Sequence, residues 1–425
     1  MSKMAELVDY IKLPRLTEVR QTFPRPRLKN VEEEIDRQLA ESGVAERIPQ
    51  GGSVAITGGS RGIDNMPLIL RQIVRFVKAN GGEPFLIPAM GSHGGATAEG
   101  QKHMLEGLGM TEEYCECPIR SSMETVLTGY TEANHLPVYM DRYAYEADAV
   151  IVVNRIKPHP SFSGKVESGV MKMSVIGLGK QRGAQFCHSR GIAKMSETVQ
   201  EVGSYMLAHN HVIFGVGTVE NAYDETAELA VMKSEDILET EAVLLTHAYR
   251  NFPKILIPHY DVLLVQEMGK NISGAGMDTM IISRYTHDGI PKDPHQQIIC
   301  CLRLTKETRG NANGMGLADL VPRKFYEAID FEESYPNVIT SRVYTSQRMP
   351  MVLDNDLVAI KAAIHGCVGI DYDNPRLIYM KNTLDIGRLF VSDALLEEVR
   401  NTPGMEIVGE PFDMQFDAEG NLQLL

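Results

Sequence analysis

Five consecutive residues, Ala149 to Val153, constrain this chain more than any other stretch. An unbroken, largely β-branched run of this length predicts a strand buried on both faces. Strands of that kind belong to parallel sheets covered by helices. Asn154, Arg155, Lys157, Pro158 and His159 follow at once. The ends of parallel strands are where ligands bind in open α/β sheets, so the abrupt change from apolar to polar places a site just past this strand.

The loop that continues from it is rich in small residues, Ser161 to Gly164 and Ser168 to Gly169, and carries Lys165 and Lys172, with Cys187 and His188 beyond. Small residues allow a ligand close to the backbone, and imidazole nitrogens suit nickel, copper or zinc. The alternative reading of the residues alone is that His159 and His188 each satisfy a local hydrogen bond and that the lysines are solvated.

Two upstream segments repeat the pattern of strand, glycine-rich turn and helix. Ser53 to Thr57 reads as a strand, Gly58 to Gly62 as the turn, and Pro67 to Ala79 as the helix. The turn is similar to the nucleotide loop of short-chain dehydrogenases, but Asp64 stands where a glycine is needed and the chain has no Tyr-x-x-x-Lys. A phosphate or carboxylate at this helix start is the alternative use. Gly82 to Pro88 reads as a second strand, leading into Met90 to Thr97 with His93 among glycines, then a helix from Ala98 to Gly107. A helix is also expected over Val31 to Leu39.

Further on, Val212 to Val219 reads as a strand and Asp236 to Tyr249 as a helix capped by Ser234. Past the prolines between Arg250 and Pro258, Asp261 to Val265 opens a second strand and loop unit, ending in Gln266 and Lys270. Strands are expected around Ile298 to Leu304 and Leu377 to Met380, and helices near Leu357 to His365 and Asp393 to Arg400. Strands alternating with helices make both halves α/β. The expected domains are 1–255 and 256–425, with a hinge near Phe252 to Pro258.

A length of 425 residues accommodates two such cores. The net charge of −14 is spread without a basic block, which argues against nucleic acid and anionic membrane as partners and for a small-molecule substrate. The start of the chain lacks a basic segment followed by an apolar one, so a cytoplasmic location is expected. Six scattered cysteines read as reduced thiols. Gly177 to Lys180 lacks the spacing of a phosphate loop of Walker type. Oligomeric state is not legible.

Three segments together, His93 in Gly-Ser-His-Gly-Gly, then Lys157-Pro158-His159 with Ser161 to Gly164 and Lys172, then His188, resemble the nickel-dependent lactate racemase family of 2-hydroxy acid racemases and epimerases. The resemblance covers most of the chain. It implies two α/β domains with open, mostly parallel sheets and an active site in the interdomain cleft. It also implies a nickel pincer nucleotide (pyridinium-3-thioamide-5-thiocarboxylic acid mononucleotide) joined through a thioamide to a lysine. Carried over, His93 and His159 are the paired catalytic acid/base residues, Lys172 is the cofactor-bearing lysine and His188 the nickel ligand. The segment between His159 and Lys172 is longer than the family's, so Lys165 is a competing anchor. Arg61 matches an arginine near substrate and cofactor, although the acidic residue usual before it is here Gly58. Gln266 and Lys270 resemble a substrate-binding pair from the second domain.

The chemistry of the residues accommodates that role. Inverting a carbon that bears hydroxyl, hydrogen and carboxylate needs a base on each face, and imidazole both takes and returns a proton near neutral pH. The hydride acceptor must be a cofactor. Arg61 or Lys270 suits the substrate carboxylate. With no tryptophan and an altered loop around Gly94, a bulkier or more polar 2-hydroxy acid such as a sugar acid fits as well as lactate. Two other readings stand beside this one. The first is an NAD-type oxidoreductase using the Thr57 to Gly62 loop. The second is a non-catalytic binding protein of the same fold that grips an anionic ligand.

Overall fold

The computed structural model describes residues 2–285 and 295–423. It is a mixed α/β structure with large, mostly parallel sheets, as the alternating pattern requires. The chain divides into two units, Pro24–Phe252 and Met1–Phe23 with Pro253–Leu425. The first 23 residues, expected in the first domain, therefore belong to the second unit. The reason is a strand, Leu16–Gln21, that pairs antiparallel with Asp385–Ser392 and Met405–Ile407.

The unit Pro24–Phe252 is built on a five-stranded sheet in the order Glu83–Pro88, Ser53–Gly58, Ala149–Arg155, Val212–Glu220, Thr226–Lys233. The first four are parallel and the last is antiparallel. The apolar run lies at the centre and divides its residues between two cores. Val150 and Val152 face one cluster with Met171, Val199, Val202, Met206 and Leu244. Ala149, Ile151 and Val153 face the other with Ile35, Leu39, Ile69, Leu70, Ile73 and Val77. Both faces are thus covered by helices, the arrangement that lets a strand be continuously apolar. Each fully buried Val or Ile contributes about 1.5–3 kcal/mol, and the pairing with Val212–Glu220 shifts register between Val150 and Ile151.

Helices lie at Val31–Glu41, Met66–Ala79, Ala98–Gly107, Met195–His209 and Ile237–Asn251. Ser234 does not cap the last of these. It sits in a one-turn 3₁₀ segment, Ser234–Asp236, and its hydroxyl donates to Leu207 O (3.0 Å). A two-stranded hairpin, Thr125–Tyr130 with Pro137–Asp141, is an addition not expected from the sequence.

The other unit has an eight-stranded sheet in the order Met351–Leu353, Leu320–Pro322, Ile298–Leu304, Val262–Met268, Leu377–Asn382, Asp385–Ser392, Leu16–Gln21, Met405–Ile407. Its first five strands are parallel and its last three antiparallel. Helix Asp356–Gly366 packs its Ala359, Ile360, Ala363 and Ile364 into the core beneath this sheet. No helix among the described residues is long and apolar enough to cross a membrane.

Candidate functional site

The order of the five-stranded sheet creates a crevice. From Ser53–Gly58 the chain runs through a helix to Glu83–Pro88 on one side, and later returns to Ala149–Arg155 on the other. The connections leaving Gly58 and Arg155 therefore diverge at adjacent parallel strands, which is where ligands bind in open α/β sheets. Gly59 and Arg61 leave the first strand here, and Lys157 and His159 leave the second. Gly59 lies against residues that flank the second loop on either side. A Cβ on Gly59 would stand 3.2 Å from the Met173 methyl and 3.7 Å from Asn154 Oδ1. Asp64 N–H donates to Glu220 Oε1 (2.8 Å), and Arg155 pairs with the other oxygen of Glu220, so the Arg61 loop is tied to the strand ends.

His159 is held by a residue that sequence reasoning passed over. Glu167 is buried, and its carboxylate accepts from His159 N (2.6 Å), Gly164 N (3.1 Å) and the Tyr249 hydroxyl (2.8 Å). Burial raises the carboxyl's pKa, while the His159 amide and the Tyr249 hydroxyl oppose it. The imidazole stacks on Phe162 with centroids 4.1 Å apart, and its Nδ1 accepts from Ser161 N (3.0 Å). That bond orients the ring and, with Nδ1 accepting, puts the proton of the neutral imidazole on Nε2.

The same Phe162 ring lies 5.9 Å from Lys172 Nζ. Burial brings the Lys172 ammonium down to about 7, Lys157 and Arg61 press the same way, and Glu167 opposes. Near neutral pH a substantial fraction of this amine is therefore unprotonated and nucleophilic. The backbone leading to it is clamped. Asn154 Nδ2 donates to Gly169 O (2.9 Å), and Met171 N donates to Glu241 Oε2 (2.9 Å). A Cβ on Gly169 would meet the Glu241 carboxylate at 2.4 Å, so a side chain here would displace that carboxylate. Burial pushes the Glu241 carboxyl up to about 7, and its Oε1 has no hydrogen-bond partner among the described residues.

His93 is exposed, in the loop after Glu83–Pro88, on the same edge of the sheet. Gln101 Nε2 donates to Gly91 O (2.9 Å) and His93 O (3.1 Å), and Gln101 Oε1 accepts from Lys180 Nζ (3.1 Å). Lys180 is completely buried, 3.1 Å from Asp141 Oδ2, and also donates to Pro88 O. The lysine of the rejected phosphate-loop motif is thus an internal strut beneath the His93 loop. Gly91 packs against Ile176 and Ala184, so this loop rests on the helical segment between Lys172 and His188. His188 lies near the end of helix Lys180–Ser189.

Lys165 pairs with Glu239 at the surface (2.5 Å). Gln266 and Lys270 belong to the other unit. Gln266 is buried and accepts from the Tyr379 hydroxyl (2.6 Å), while Lys270 Nζ donates to Gly274 O (2.8 Å). Arg61, Lys157, His159 and Lys172 are therefore brought together, with His93 on the neighbouring loop. A cavity of about 410 Å³ opens further along, between Arg27, Lys29, Asp64 and Glu225. Its acids are already engaged, Glu225 with Arg25 and Arg27 and Asp64 with Thr226. The six cysteines are buried free thiols.

Among the described residues, no group of three or more His, Cys, Asp or Glu side chains is placed to hold a metal ion. A nickel site here would need donors from a cofactor beside His188. The other residues fit such a group: an amine of near-neutral pKa suits covalent attachment, and Arg61 and Lys157 suit an anionic moiety.

The fold and the site together define an α/β protein with a lysine-centred crevice at the topological switch point of a parallel sheet. Residues 58–246 match a family model described as a domain of unknown function, DUF362. Among solved structures, the chain is similar to the lactate racemase apoprotein from Thermoanaerobacterium thermosaccharolyticum. The TM-score is 0.46 and the identity 13% over 78% of this chain and 85% of that one. No curated protein matches the chain.

Proposed function

We propose that the protein is a racemase or epimerase of a 2-hydroxy acid that works with a nickel pincer nucleotide tethered to Lys172. The observation that carries this reading is Lys172 itself, an amine lowered to about 7 beside Arg61 and Lys157 in the crevice, with His159 sharing its Phe162 contact. A lysine in that state attacks an acyl carbon at neutral pH, as ordinary surface lysines do not.

When bound, the group supplies the hydride acceptor that side chains lack. His188 would hold its metal, and Arg61 supplies a cation to an anionic part of cofactor or substrate. His93 and His159 take and return the hydroxyl proton of opposite enantiomers. The Ser161 bond to Nδ1 orients the His159 ring, and that bond has to be released for the ring to take up a proton. Glu167 and Tyr249 hold that loop in place.

The test is intact-mass analysis after supplying the nickel pincer nucleotide, with peptide mapping and metal analysis. An adduct on Lys172 with nickel bound is the expected result. An adduct on Lys165 would keep the function and move the anchor. No adduct and no nickel, with a loading control that succeeds, would overturn the reading. In loaded enzyme, His93→Ala and His159→Ala should each abolish interconversion while the adduct remains.

A further inference from the structure

We propose that Lys180 is a positioning residue for His93: its buried ammonium fixes the loop that presents this histidine, rather than adding to the stability of the fold. The inference rests on the reading of His93 as a proton-transfer residue. Lys180, Asp141 and Gln101 are each without solvent exposure. Lys180 Nζ stands 3.1 Å from Asp141 Oδ2 and donates to Gln101 Oε1 (3.1 Å) and to Pro88 O. Burying two charges costs desolvation that their attraction only partly returns, so well-packed apolar residues would serve stability as well here. The backbone at Lys180 has φ +50°, a conformation that side chains rarely adopt. Charge and strain together at a buried position point to a task other than packing.

The contacts identify that task. Pro88 is the last residue of the strand that leads into the His93 loop, and Gln101 lies in the helix that leaves it. One ammonium therefore grips the loop at both ends. Its hold also reaches the middle of the loop. An ammonium has donors only, so it engages the oxygen of Gln101, and the amide's Nε2 donates to Gly91 O (2.9 Å) and His93 O (3.1 Å). The loop has little of its own to keep it in one shape. Gly91, Gly94 and Gly95 have φ of +59°, +65° and +66°, and glycine loses more conformational freedom on ordering than any other residue. Outside contacts must then fix where His93 stands. A misplacement of about 1 Å at a reacting group costs about a hundredfold in rate, which is the scale on which this strut acts.

Two full-length variants test it. Gln101→Glu keeps an acceptor for Lys180 but, when ionised, has no donor for the two carbonyls. Lys180→Met combined with Asp141→Asn removes both charges together, so that neither is left buried alone. Hydrogen exchange on chain free of adduct should quicken about tenfold across residues 90–97 in both variants, with Ala149–Arg155 unchanged and the melting temperature of the double variant no lower than that of wild type. In enzyme loaded with the nickel pincer nucleotide and assayed with lactate and sugar acids, kcat should fall about a hundredfold with KM and the adduct on Lys172 unchanged. Wild-type exchange at 90–97 in both variants would overturn the hold, and wild-type kcat with a loosened loop would overturn the positioning role. Protection lost across Ala149–Arg155 as well, or a fall in kcat matched by a fall in adduct, would make Lys180 an ordinary part of the core. No turnover by loaded wild type, with quickened exchange at 90–97 in the variants, would sink the racemase reading and keep the dependence of the loop on Lys180.

Discussion

Glu241 and Lys172 place opposite demands on pH, and both follow from burial. The Glu241 carboxyl is raised from 4.5 to about 7 in the folded protein. Its stability contribution is therefore complete below about 4.5 and is lost as pH rises through 7, because the folded state keeps a proton that the unfolded chain releases. The full span corresponds to roughly 3 kcal/mol. In Glu241→Gln, whose amide oxygen still accepts from Met171, this part of the decline should vanish, leaving the same-signed contribution of Glu167. Urea unfolding at several pH values checks it, and a profile identical to wild type would count against the assignment. Lys172 behaves inversely, its pKa being lowered from 10.5 to about 7. Its contribution is present above 10.5 and lost as pH falls through 7. Lys172→Met should therefore be more stable than wild type at pH 6, with the gain gone by pH 10.5.

At the scale of elements, the loops are held by buried polar struts. Gly94 has φ +65°, and a Cβ there would meet the backbone of Gln101 and Gly100 at 2.7 Å. Gly94→Ala should cost about 1–3 kcal/mol and displace the His93 carbonyl from Gln101. Thermal unfolding and exchange protection of the Gln101 helix report it, and a melting temperature within a degree of wild type would contradict the contact. Tertiary struts of this kind are what the sequence conceals. The run from Ala149 to Val153 announced a central strand because both of its faces are apolar, and the glycine turns marked the ends of its neighbours. Thr226–Lys233 and Asp385–Ser392 gave no comparable sign, since one-sided antiparallel strands carry interrupted patterns. Glu167 is eight residues from His159, and Glu241 is 70 from Met171, so neither has a local signature. Lys180 was visible only as a motif that failed. Its burial depends on Asp141 and Gln101, 39 and 79 positions upstream.

For the whole molecule, the decisive feature is the strand that crosses from one end of the chain to the other. Leu16 and Val19 are fully buried, and Leu16–Gln21 lies between Asp385–Ser392 and Met405–Ile407. Helix Lys3–Val8 adds Val8 to the core packed around Asp356–Gly366. A chain begun at Pro24 would strip both antiparallel partners of their ladder bonds, open the core at Phe390, and turn an interior strand into an exposed edge. Burying the side chains of Leu16 and Val19 alone contributes several kcal/mol at about 1.5–3 kcal/mol each, a large share of the stability of an ordinary domain. Hydrogen exchange read by mass spectrometry should show protection lost across residues 385–392 and 405–407 in that truncation. Ala149–Arg155 and its neighbours should keep theirs, because every strand of their sheet lies within Pro24–Phe252. Retention of protection at 385–392 would mean that the N-terminal strand is dispensable. Simultaneous loss in both sheets would mean that the two units do not fold as separate bodies.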